Sequence, residues 1–159
     1  MTGYNRIRVW ASLLTLISTA FAHPGTAQMR KSEILKQLSD NIEMVRTAAT
    51  SNSRDDAAQK LAKLTRKIDP KTVDDKTIAS MIDLLDMPDA RYWVAVSLGN
   101  LGSRAKVAIP KLQTLLAEED GRHVSKSAAD GIRFALPRMG VTPPPPNYYD
   151  NGAERNQGQ

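Results

Sequence analysis

The chain has 159 residues, 41% of them apolar and 25% charged, which is the make-up of one folded domain with tails and excludes a wholly disordered protein. It contains no cysteine, so it has no disulfide framework, no thiolate chemistry and no lipid-bearing cysteine. The formal charge of +5 is modest and scattered, without the basic stripe that nucleic-acid binding requires.

The first segment, MTGYNRIRVWASLLTLISTAFA, carries Arg6 and Arg8, an apolar run from Val9 to about Ile17, and small residues ending at Ala22. That order predicts a secretory signal peptide over residues 1–22, cut after Ala22, with Gly25-Thr26-Ala27 as a second site. The alternative is a membrane anchor, but the uncharged stretch is short against the roughly 20 apolar residues of a span. Export places the protein in a secreted or periplasmic setting, as in a bacterial envelope. Without Arg6 and Arg8 the balance is 20 basic to 17 acidic residues, or +3. Residues 23–31 read as a flexible arm.

From Ser32 onward the apolar spacing is helical, with no period-two alternation, and the expected class is all-α. A first helix over Ser32 to about Ala49 would turn Ile34, Leu35, Leu38, Ile42, Val45 and Ala49 inward, and the polar run TSNSRDD would form its exit. A second, from about Asp55 to Lys67, buries Ala57, Ala58, Leu61, Leu64 and Ile68 and stops at Asp69-Pro70. The third spans about Asp75 to Asp86, with Ile78, Met81, Leu84 and Leu85 inward. After a tight turn at Met87-Pro88-Asp89, the fourth runs from about Ala90 to Leu101 with Val94, Ala95, Leu98 and Leu101 inward.

Gly102 suits the left-handed position after a helix end, and Ser103 would begin a loop. Pro110 falls in the first turn of a fifth helix, where its missing N–H costs nothing, and that helix ends near Glu118 to Gly121. A sixth extends from about Val124 to Leu136, before Pro137 and Gly140. Residues 32–140 thus make the helical domain, and Val141 to Gln159 have too few apolar residues to fold. Within this tail, Pro143 to Pro146 followed by Tyr148 and Tyr149 offer either an extended ligand or a stiff spacer.

Self-comparison shows a repeat. A shift of 31 sets Ile78, Met81, Leu84 and Leu85 on Ile109, Leu112, Leu115 and Leu116; a shift of 34 sets Val94, Ala95 and Leu98 on Ala128, Ala129 and Ile132. A shift of 37 sets Arg54, Ala58, Leu61 and Leu64 under Arg91, Ala95, Leu98 and Leu101. Three helix pairs follow, at about 32–67, 75–101 and 108–136.

The segment DARYWVAVSLGNLG (89–102) followed by AKVAIPKLQTLL (105–116) resembles the short HEAT-repeat pattern over about half of the chain beyond the leader. The spacing is shorter than the roughly 40–47 residues of longer HEAT units. The first helix is long, as a cap would be, and Ser125 stands where the other pairs have Arg54 and Arg91. The resemblance implies a short right-handed α-solenoid of about three pairs. It also implies a binding face for another protein on the concave side, lined by the second helix of each pair. The positions concerned are Asp55, Asp56, Gln59 and Lys63, then Tyr92, Trp93, Val96 and Asn100, then Lys126, Ser127, Asp130 and Phe134. Tyr92 and Trp93 are candidate anchors, since aromatics near the centre of a face dominate binding, though a tryptophan there equally packs on the next repeat.

Reactive groups are sparse. His23 and His123 are the only histidines, so no zinc spacing or nucleophile–base pair can be drawn, and neither a cofactor nor catalysis is expected. His23 as a free amino terminus would offer copper its amine and ring, against the simpler reading of an incidental first residue. Asp74, Asp75, Asp83, Asp86 and Asp89 cluster around the third helix, where capping explains at least Asp75 and Asp89. Arg91 reads as structural, paired with an acid of its own or a neighbouring repeat. Short HEAT-like repeats also occur in phycobilin lyases, but this chain lacks their reactive groups. A further alternative is docking on anionic envelope components through Arg104, Lys106, Lys111 and Arg122.

Overall fold

The computed structural model describes residues 24–119 and 127–146, and within them the chain is helical, with no strand. The expected signal peptide, His123, Val124, Ser125, Lys126, Tyr148 and Tyr149 lie outside the described residues. Six α-helices are present: α1 (Pro24–Thr47), α2 (Ser51–Thr65), α3 (Asp75–Leu84), α4 (Arg91–Leu101), α5 (Ile109–Glu119) and α6 (Ala128–Arg138). Two 3-10 helices, η1 (Pro70–Thr72) and η2 (Gly102–Ala108), precede α3 and α5.

The boundaries differ from expectation at identifiable places. α1 begins at Pro24, well before Ser32, and takes in most of the expected arm; it ends at Thr47, so Ala49 lies beyond it and is exposed. Part of TSNSRDD starts α2 instead of only ending α1. The Thr50 side chain accepts from the Ser53 amide and the Ser53 hydroxyl accepts from the Thr50 amide, a capping box that satisfies two otherwise unpaired donors. Ser103 does not open a loop, because residues 102–108 continue as η2. There the Ile109 amide donates to the Lys106 carbonyl, and Pro110 has no N–H with which to make the wider α-helical bond back to Lys106. At the other end, α6 runs one residue past Pro137 to Arg138.

Gly102 closes α4 with a positive φ of +55°, but its ψ of −131° lies outside the left-handed helical region expected for it, a combination open to glycine. Asp74 caps α3, its carboxylate accepting from the Thr77 amide at 2.6 Å. Hydrogen bonding from Thr77, its amide first and then its hydroxyl, holds the Asp74 carboxyl below its usual value.

Consecutive helices pair as α1 with α2, α3 with α4, and α5 with α6, and α4 also packs against both α2 and α6. The shared core contains Leu38, Ile42 and Val45 of α1, Ala58 and Leu61 of α2, Ile78 and Met81 of α3, Leu98 of α4, Leu112 of α5, and Ile132 and Leu136 of α6. Leu35, Leu64 and Ile68, expected inside, are half-buried at its margin, and Ile34, also expected inside, is half-buried.

The second helices of the three pairs run parallel. Asn100, near the end of α4, donates to the Ala62 carbonyl (3.0 Å) and the Thr65 hydroxyl (3.2 Å) near the end of α2. Gly99 faces Ala135 near the end of α6, while Gly131 near the start of α6 faces Tyr92 near the start of α4. A Cβ on Gly99 would come within 2.8 Å of the Ala135 Cα, and one on Gly131 within 2.6 Å of the Tyr92 carbonyl oxygen. Only glycine permits backbones this close at both crossing points.

Candidate functional site

With α2, α4 and α6 side by side, their starts share one edge of the molecule and their ends the opposite edge. The candidate binding face lies between these edges.

The starting edge is held by arginines. Arg54, in the first turn of α2, donates to the carbonyls of Val45 (3.3 Å) and Ala48 (2.8 Å), at and just beyond the end of α1, and to Asp89 beside α4 (2.9 Å). Arg91, the first residue of α4, donates to the Leu85 carbonyl just after α3 (2.9 Å) and to Glu119 at the end of α5 (2.5 Å). Each guanidinium thus closes the end of the preceding helix and reaches an acid of the following pair. Glu119 ends α5, where the helix dipole disfavours negative charge and the arginine offsets it, whereas Asp89 lies just before α4, at a helix start that favours negative charge. The Arg91–Glu119 pair is tight, with both side chains 12% exposed, and the Arg54–Asp89 pair is looser at 23% and 38%. Asp89 also accepts from the Ser51 hydroxyl at 2.8 Å.

The sequence-derived face residues divide into two groups. On α2, Asp56 and Lys63 are exposed, and half-buried Gln59 accepts from the Lys63 ammonium at 2.8 Å. On α4, Trp93 and Val96 are half-buried; Trp93 packs against the core and meets the Tyr92 ring edge-on at 4.8 Å. The remaining described positions serve the packing of the helices. Asn100 bonds α4 to α2, Tyr92 covers Gly131, and Ser127 and Asp130 form the capping box of α6. The Phe134 ring lies against Gly99 and carries the Arg138 guanidinium 3.5 Å from its centroid.

Two further acidic residues near α3 form ion pairs. Asp75 pairs with Arg104 at 2.6 Å, and Asp86 with Lys111 at 2.7 Å. Lys111 is therefore committed to Asp86 and Arg104 to Asp75; of the four cations named for anionic docking, Lys106 has no acidic partner among the described residues, and Arg122 lies outside them. Among the described residues no group of His, Cys, Asp and Glu has the geometry of a metal site.

Two of the surface depressions are lined by described residues near these elements. One, of about 390 Å³ between α1 and α3, is lined by Leu35, Ser39, Glu43, Arg46, Lys76 and Ser80 among others. The other, of about 480 Å³, lies at the ending edge between η1 and the α4–η2 junction and includes Lys71, Asn100, Gly102, Ser103 and Arg104. In the sequence Lys71 is marked only as a cation shortly after a helix end. Comparison with known proteins finds no family model, no curated protein and no solved structure that matches this chain.

Proposed function

We propose that this chain is an exported, non-catalytic, HEAT-like helical repeat module, a short right-handed solenoid that binds another protein through the open face of its second helices. The observation that carries the reading is the equivalence of Arg54 and Arg91. Residues that align in sequence make the same kind of contacts one helix pair apart, as expected when each repeat is one unit stacked on the next. Asp56, Gln59 and Lys63 of α2 with Trp93 and Val96 of α4 form the contact surface, with Trp93 as the apolar anchor. The signal peptide delivers the module to the envelope or beyond and is removed after Ala22; the Pro-rich tail serves as a spacer beyond Val141, which packs on the core and donates its amide to the Leu136 carbonyl.

Affinity capture from envelope extract, read by mass spectrometry, tests the binding face. Trp93→Ala and the pair Asp56→Lys with Lys63→Glu, each shown by circular dichroism to keep its helix content, are expected to lose the specific partner. Retention of that partner by both would remove the assignment. Amino-terminal sequencing of the exported protein is expected to begin at His23; an intact Met1 would overturn the leader.

A further inference from the structure

We propose that the edge formed by the ends of α2, α4 and α6 docks on an anionic lipid bilayer surface. This surface is separate from the protein-binding face and does not depend on it.

The chain gathers cations there. Arg66 and Lys67 follow α2, Lys71 sits in η1, Arg104 and Lys106 in η2, and Arg138 ends α6, all exposed. The edge is continuous around Gly102. Lys71 and Arg104 line the same depression beside it, and a Cβ on Gly102 would lie 3.3 Å from the Arg138 carbonyl oxygen. Three acids lie on this edge, and each is occupied. The Asp69 carboxylate accepts from the Lys71 amide at 2.9 Å, Asp74 caps α3, and Asp75 pairs with Arg104. Arg66, Lys67, Lys71, Lys106 and Arg138 have no acidic partner among the described residues. Among the described residues the opposite edge carries Asp55, Asp56, Asp83 and Glu118 beside Arg54 and Arg91, which are already engaged.

Charge alone would suit any polyanion, and Val107 distinguishes a bilayer. It is 71% exposed, the most exposed large apolar side chain among the described residues, and it follows Lys106 directly in η2. An apolar tip among cations gains nothing from a soluble polymer, whereas at a membrane the tip enters the headgroup boundary while the long basic chains stay with the phosphates. The depression of about 480 Å³ beside Lys71, Ser103 and Arg104 gives a phosphate-bearing headgroup room to sit. α1 also starts from this side, since its far end is tied to the start of α2 by Arg54.

Co-sedimentation of the full chain with vesicles tests this, comparing pure phosphatidylcholine with a mixture containing phosphatidylglycerol. The leader is common to every protein compared, so the readout is the change between variants. The double variant Lys71→Glu with Lys106→Glu should bind the anionic vesicles at least tenfold more weakly, since one basic residue near such a surface contributes about fivefold. Val107→Ser should weaken binding severalfold, and Lys60→Glu, away from this edge, should leave it unchanged. Rising salt should release the wild-type increment. Equal binding by the double variant and the wild type would overturn the proposal. So would retention on soluble polyphosphate as strong as on vesicles together with no effect of Val107→Ser, which would identify a soluble polyanion instead.

Discussion

Arg91 joins a carbonyl at the end of α3 to a carboxylate on α5 from a site where both charges are nearly out of water. Replacing it with Met keeps the stem but leaves Glu119 without this partner in a dry setting. Arg91→Met is expected to cost about 2–3 kcal/mol in urea unfolding. Arg54→Met, at a wetter site, should cost about 1–2 kcal/mol, because exposed pairs contribute little and its carbonyl partners can turn to water. Equal losses would show that burial does not set the difference. The glycines of the α4–α6 crossing offer a second test. Gly131→Ala would force a methyl against the Tyr92 backbone, which no rotamer can relieve, and should cost about 2–3 kcal/mol by the same measurement. These two glycines also explain where the sequence reading of the face went astray. Helical spacing shows which stripe of α4 meets α3, and it leaves Tyr92 and Asn100 looking free. Gly99 and Gly131 were the available sign that a neighbouring backbone lies alongside, since a glycine inside a helical pattern marks close approach.

The helices themselves were legible where a cap and an apolar stripe agree, and α3 is the clearest case. Ile78, Met81 and Leu84 supply the buried stripe and the helix starts at Asp75 as its sequence predicts, but the cap is Asp74 rather than the expected Asp75, and Asp89, also expected to cap, pairs with Arg54 instead. Its end comes earlier, at Leu84, because the amides of Leu85, Asp86 and Met87 make tighter turns in place of α-helical bonds. The start of α2 was hidden because Ser51, Asn52 and Ser53 are turn formers as well as cap residues, and only the reciprocal Thr50–Ser53 bonds decide between the two. The length of η2 follows from Pro110 acting together with Gly102, a pairing that neither residue announces alone. Capping also carries a pH signature. The folded state lowers the Asp74 pKa, so its stabilising effect is complete above the usual carboxylate range and fades as pH falls through the depressed value. Asp74→Ala should therefore cost about 1 kcal/mol near neutrality. That difference should shrink in strongly acidic buffer, as read from thermal unfolding across pH; a gap independent of pH would mean the carboxylate is not the cap that matters.

At the scale of the molecule, α4 is the helix with neighbours on both flanks and beneath, while α2 and α6 each have one lateral neighbour among the second helices. Opening either outer pair leaves α4 still covered on one side. Amide hydrogen exchange should accordingly be slowest over Val94–Leu101 and faster in α1 and α5, with protection following burial. Slower exchange in α1 than in α4 would contradict this order. The side-by-side arrangement has a kinetic consequence as well. The principal helix contacts join elements adjacent in the chain or one pair apart, so few long loops must close before apolar surface is buried. Such a chain should refold on the microsecond-to-millisecond scale typical of helical proteins of low contact order. Either end can nucleate, and each new hairpin has a template beside it as soon as it forms.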